Sequence, residues 1–209
     1  IHYYTGTLPS GFTSTDRIKK IFSIDDAEDL GITNEGLGAT ASTATFAVSN
    51  KGAVGDTMVL TCNTIERAKL GVPVTLASYT QVAADIVSTT TAAARLVAEI
   101  NAGTNIHGFT ASNVTVTVTI VAPKTEGIFL NSGTPYVATI VGTLAGTLTQ
   151  SVIAGTASFI DIAWYHINEY FRIQPKGELY VGFYAQESTY AFADVTIMQN
   201  FAAGAIKQM

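Results

Sequence analysis

Glu178-Leu-Tyr-Val-Gly-Phe-Tyr184 is an almost unbroken apolar run of strand length. A run of this texture fits a strand buried on both faces, with helices on either side of its sheet. The flanking sequence agrees. Upstream, Ile160, Ala163, Trp164, Ile167 and Phe171 recur at helical spacing, and Pro175-Lys-Gly177 ends that helix because proline has no amide to donate to the ladder. Downstream, Phe192, Val195, Met198 and Ala202 predict a second helix that ends near Gly204 or a few residues beyond. Helix, strand and helix in that order predict a layered α/β domain, yet a lone strand makes no sheet. Arg17-Ile-Lys-Lys-Ile-Phe22 is the candidate to lie beside it. The remaining strands are expected from chain outside this sequence or from a neighbouring subunit.

Further towards the N-terminus, Ser23-Ile-Asp-Asp26 has the spacing of a capping box with Asp in the place of Glu, and Gly31 supplies a left-handed stop. A helix of about two turns is predicted there. From Gly36 to Gly52 the residues are small and polar and read as a connector, with a short strand at Thr45 to Ser49. The chain beyond it is built from Thr, Val, Ala, Gly and Ser. It offers a strand at Thr57 to Ile65, a partner at Val74 to Thr80, and one helix with Ala93, Leu96, Val97 and Ile100 on a single face. Threonines are expected to cap that helix, and Gly103 to stop it. Val114-Thr-Val-Thr-Val-Thr-Ile-Val-Ala122 alternates strictly and predicts one long strand, with Val114, Val116, Val118 and Ile120 facing a core. Two more strands are predicted near Tyr136 to Leu144 and Gly146 to Ile153. The fold class expected is mixed α+β. A discontinuous, partial α/β domain (residues 1–48 and 158–209) is interrupted by a β-rich inserted domain (residues 49–157) of about five strands and one helix.

Composition narrows the function. Charged residues are 13% of the chain and the hydrophobic set is 47%, a low charge density for a free monomer, so part of the surface is expected to meet protein. A net charge of −5, with the eleven Lys and Arg scattered, argues against nucleic acid and against an anionic membrane surface. No apolar run approaches the roughly 18 residues of a spanning helix. A single cysteine, Cys62, rules out an internal disulfide, and it reads as a strand residue rather than a reactive thiol. The chain opens on Ile1 and is expected to be part of a longer one.

Each candidate for chemistry has a simpler explanation. Gly36-Leu-Gly38 begins like a dinucleotide loop, but Ala41 stands where the third glycine belongs. The glycines from Gly142 to Gly155 lack the lysine of a phosphate loop and read as turns. His166 and Glu169 lie three apart on one helix with no second ligand motif. His107 reads as a loop residue, and Asp25, Asp26, Glu28 and Asp29 are explained by their place at a helix cap. No catalytic residue, metal ligand or cofactor is therefore assigned. The aromatics Tyr165, Tyr170, Phe171, Tyr180, Phe183, Tyr184, Tyr190, Phe192 and Phe201 are divided between core and subunit contacts, where tyrosine is enriched.

Ile21-Phe-Ser-Ile-Asp-Asp-Ala-Glu-Asp-Leu-Gly31, then Trp164-Tyr-His-Ile-Asn-Glu-Tyr-Phe171, then Gly177-Glu-Leu-Tyr-Val181, together resemble the contractile tail sheath proteins of bacteriophages. The inserted region, with Gly55-Asp-Thr57, Tyr79-Thr80, Ile100-Asn-Ala-Gly103 and His107-Gly-Phe-Thr-Ala111, is similar to β-rich domains of phage tail proteins. The resemblance implies a virion structural protein without enzymatic activity. Assembled in the host cytoplasm, it would stack as a homo-oligomer in helical rings around a tail tube protein, shift from an extended to a contracted array, and exchange strands with neighbours while the insert faces outward. The alternative expectation is a β-rich tail or baseplate module that recognises a host surface glycan or another virion protein.

Overall fold

The computed structural model describes residues 2–4, 6–63, 72–184 and 193–202. In chain order the elements are β1 (His2–Tyr4), β2 (Ile18–Ile21), α1 (Ile24–Asp29), β3 (Thr43–Asn50), β4 (Thr57–Cys62), β5 (Val74–Thr80), α2 (Thr89–Ala102) and the single turn α3 (Thr104–His107). They continue with β6 (Thr110–Val114), β7 (Thr117–Val121), β8 (Tyr136–Val141), β9 (Ala145–Ile153), α4 (Phe159–Ile173), β10 (Leu179–Tyr184) and α5 (Ala193–Phe201). The class is mixed α/β with open sheets. The chain divides into two compact units, residues 1–39 with 158–209 and residues 40–157. Residues 40–48, assigned from the sequence to the outer domain, thus belong to the insert.

In the outer unit β10 is the central strand of three, parallel to β1 and antiparallel to β2. The strand from Arg17 to Phe22 does lie beside it, with Leu179 opposite Ile21 and Val181 opposite Lys19. The third strand comes from His2–Tyr4, so three strands pair within this chain. The strand's apolar run divides as a doubly covered strand must. Leu179, Val181 and Phe183 share a cluster with Ile160, Ala163, Ile167 and Phe171 of α4 and Ala27 of α1, and Tyr184 packs with Ile18 and Met198. Each such fully buried aliphatic contributes roughly 1.5–3 kcal/mol. Gly182 lies beneath α5, where a Cβ would stand 2.8 Å from Met198 Cε and 2.9 Å from Tyr184 Cε2. The glycine in an otherwise bulky strand is what lets the helix approach so closely.

The caps follow the sequence closely. Ser23 Oγ accepts from the Asp26 amide at 3.1 Å, and Asp26 Oδ2 accepts from the Phe22 amide at 2.7 Å. At the other end Gly31 has φ +78°, the Gly31 amide donates to Glu28 O, and the Ile32 amide donates to Ala27 O, a Schellman stop. Helix α4 begins on Ser158, whose Oγ accepts from the Asp161 amide at 3.0 Å, and ends with Gln174 at its C-cap, next to Pro175. The second predicted helix is α5, with Met198 and Ala202 buried; Phe192 and Gly204 lie outside the described residues.

Within the insert, two antiparallel sheets share one core. The order is β6-β7-β3-β9 in the first and β5-β4-β8 in the second. Helix α2 packs against β3, β6 and β7 of one sheet and β5 of the other. Phe46, Leu60, Leu96, Ile100, Val118 and Ile120 are among the side chains it encloses. The cap of α2 is Ser88 rather than a threonine: Ser88 Oγ accepts from the Thr91 amide, and Thr91 Oγ1 accepts from the Ser88 amide. The helix stops at Gly103, where α3 adds a further turn.

Two expectations are corrected here. The Gly36 to Gly52 segment is no mere connector, because Thr43–Asn50 is a full strand at the interior of a sheet, paired with β7 and β9. The Val114 to Ala122 alternation is not one strand but the end of one hairpin arm and all of the next, with Val114 opposite Thr117. Thr115 turns the corner at φ +53° and Val114 is 78% exposed, so the apolar face begins only at Val118. The predicted Thr57 to Ile65 strand is described to Cys62, and Ile65 lies outside the described residues.

Candidate functional site

The residues weighed for chemistry are positioned by the fold as follows. Gly36 and Gly38 adopt φ +73° and +77°, and the Gly36 amide donates to Asp161 Oδ1 at 2.9 Å and Oδ2 at 3.1 Å. They form a turn tied to the first turn of α4. Gly142, at φ +118°, makes room for Asp56: a Cβ there would sit 2.0 Å from Asp56 Oδ1. Asp56 Oδ2 accepts from the amides of Ala53, Thr143 and Leu144 and from Thr143 Oγ1, all at 2.8 to 3.0 Å. These bonds, led by Ala53, hold its carboxyl below the usual range. The aspartate knots the β3–β4 loop to the β8–β9 turn.

His166 is exposed on α4 beside Tyr165, and the Glu169 carboxylate is held by Arg172 Nε at 3.0 Å and Nη2 at 2.7 Å. Glu28, in the acidic cluster at α1, accepts from Trp164 Nε1 at 2.9 Å. Among the described residues no three His, Cys, Asp or Glu side chains converge in a way that could hold a metal, and no helix is long and apolar enough to cross a membrane. Cys62 is fully buried opposite Tyr136, and burial pushes its thiol up to about 12. A thiol held so high is a packing group.

What the outer unit does present is surface. Helix α4 is apolar on two sides. Its inner face packs on β10, while Phe159, Ile162, Tyr165 and Ile173, at 40% to 64% exposure, lie along the opposite side with His166 and Glu169. Nothing in the inner-face periodicity reveals this second stripe, although the residues were there to be counted. The three-stranded sheet adds two edges, since β1 and β2 each pair on one side only among the described residues.

The insert treats its edges differently. Three side-chain amides each bind both the N–H and the C=O of one backbone residue. Asn101 takes Ala111 on the edge strand β6 at 2.8 and 2.9 Å, Gln150 takes Tyr136 on the edge strand β8 at 3.0 Å in both bonds, and Asn131 takes Gly155 at 2.7 Å in both. Asn101 and Gln150 imitate a neighbouring strand and satisfy groups that would otherwise invite one, whereas Asn131 ties down Gly155 just beyond the end of β9. The outer face of the four-stranded sheet, in turn, is uncharged. Its central row runs Ser112, Thr119, Thr45, Thr149 across all four strands, which are spaced roughly 4.7–4.9 Å apart.

No protein-family model matches the chain, and a search of curated proteins finds no match. The reading of function therefore rests on the chain's own residues and geometry.

Proposed function

We propose that this chain is a structural, non-catalytic subunit of a contractile phage tail, of the sheath type, which assembles with copies of itself around a tail tube. One observation carries the reading. The three segments that resemble sheath proteins are separated in sequence by the whole insert, yet they form one packed unit. The Ser23-capped α1 is bonded to the aromatic α4 through Glu28 and Trp164, and both helices share a cluster with the Leu-Tyr-Val strand β10. The apolar outer side of α4 and the two sheet edges are the surfaces for neighbouring subunits and the tube. A contractile array needs two packings of similar free energy, one favoured by slightly more contact per subunit, so that small gains add along the polymer.

Negative-stain electron microscopy of the full-length product at high concentration, with and without a tube protein, tests this. Tubes or stacked rings that vanish in Ile162→Glu, with the far-UV circular dichroism unchanged, are the expected result. Monodisperse monomers under every condition would refute it. For the alternative, a binding module, the uncharged outer face of the four-stranded sheet is the one supporting feature. It favours a virion protein over a glycan because its rows hold no aromatic ring for a sugar to stack on.

A further inference from the structure

The corner between α2 and β6 is built around an imidazole. His107 Nδ1 accepts from the Phe109 amide at 3.1 Å, which fixes the ring proton on Nε2. Nε2 is itself buried, makes no hydrogen bond of good geometry among the described residues although the Leu76 and Ile100 carbonyls act on the ring, and lies where a Cβ on Gly103 would come within 2.6 Å of it. The residue between them, Gly108, is left-handed at φ +77°, so the turn has no slack. Phe109 is fully buried, edge-on to His107 at 5.8 Å and to Tyr136 at 6.2 Å. The bond from its amide to His107 therefore ties the start of β6 to the insert's core.

We propose that this corner is a proton-operated latch: neutral His107 holds the Phe109 amide, and protonated His107 releases it. The chemistry is a single proton transfer from solvent to the Nδ1 lone pair. Once that lone pair carries a proton, two donors face each other and the Phe109 N–H has no acceptor.

Among the described residues, no charged group contributes to the titration of His107. The elements packed against α3 are α2 and β5. On α2, Arg95 binds Glu99 at 2.6 Å and faces Asp85 at 3.7 Å, while Tyr79 of β5 lies under the Arg95 guanidinium at 5.2 Å. None of these contributes to the titration of His107. Burial holds its ring below the ordinary value, opposed only by the carbonyls of Leu76 and Ile100. The sign follows. The unfolded ring binds its proton near 6.5, the folded ring at lower pH, so the corner is at full strength above about 6.5 and weakens as pH falls towards the folded value.

The test is NMR on the intact chain between about pH 8 and 5. It follows the His107 imidazole nitrogens and the hydrogen-exchange protection of the Phe109 amide, in the wild type and in His107→Asn, whose Oδ1 occupies the acceptor position and cannot be protonated. The wild type should titrate below 6.5 and lose Phe109 protection in step, by up to roughly tenfold for each unit by which the folded value is lowered. His107→Asn should stay flat. An imidazole that titrates at or above 6.5, or one that titrates while Phe109 protection stays constant, overturns the latch. Should His107→Asn fail to fold, the two wild-type curves decide by themselves.

Discussion

Replacing Gln150 by leucine removes both bonds that its amide makes to Tyr136 and offers nothing in exchange. Tyr136 is 1% exposed, so its N–H and C=O lose their partners in a site water does not reach. A net hydrogen bond is worth about 0.5–1.5 kcal/mol and an orphaned buried group costs about 1–3. Two groups together give a loss of about 2–6 kcal/mol, or roughly 30- to 25,000-fold in the opening equilibrium. Hydrogen exchange at the Tyr136 amide in the intact chain measures this opening directly, and urea unfolding followed by circular dichroism gives the global value. Gln150→Glu sharpens the test. At neutral pH its carboxylate still accepts from the Tyr136 N–H but sets an oxygen against the Tyr136 C=O, so it should cost about as much as leucine. As the carboxyl protonates it regains a donor, and the difference from wild type should shrink. A leucine variant within about 0.5 kcal/mol of wild type, the range of an ordinary surface substitution, would refute the account of the amide as a surrogate strand.

Four further outcomes are expected. Asp56→Asn should be less stable than wild type at neutral pH and should close that gap in acid: the folded carboxyl sits below its ordinary value, so the wild type's advantage is present above about pH 4 and is lost as pH falls through the folded value, as acid unfolding curves will show. Cys62 should resist alkylation at about pH 8 until denaturant is added, because its thiol is buried and pushed up to about 12; labelling in native buffer would contradict this. Gly146→Ala should destabilise by about 1–3 kcal/mol in urea unfolding, since a Cβ would stand 2.4 Å from Phe46 Cζ and 2.7 Å from Ala47 O. Thr115→Asn should stabilise by up to about 1 kcal/mol by relieving a β-branched residue held at φ +53°, with an unchanged or lowered urea midpoint as the contrary result.

Much of the local chemistry was legible in the sequence of this protein, although the α2 cap proved to be Ser88 rather than a threonine. The Ser23 cap and the Gly31 stop, the inner stripe of α4, and the β10 strand covered on both faces all follow from spacing within a few residues, because caps, periodicity and proline act over a single turn. What the tertiary structure alone decided are the features fixed by a partner far along the chain. The small side chains from Gly36 to Gly52 suggest a connector with only a short strand at Thr45 to Ser49, and Thr43–Asn50 is a full interior strand because β7 and β9 lie on either side of it. The alternation from Val114 to Ala122 suits one strand or a hairpin equally well, and the turn is settled where the Val48 amide of β3 donates to Val116 O at 2.9 Å. The side-chain amides of Asn101, Asn131 and Gln150 and the meeting of Glu28 with Trp164 belong to the same class. Hydrogen bonds between residues distant in sequence leave no period to read, so only the folded chain shows them.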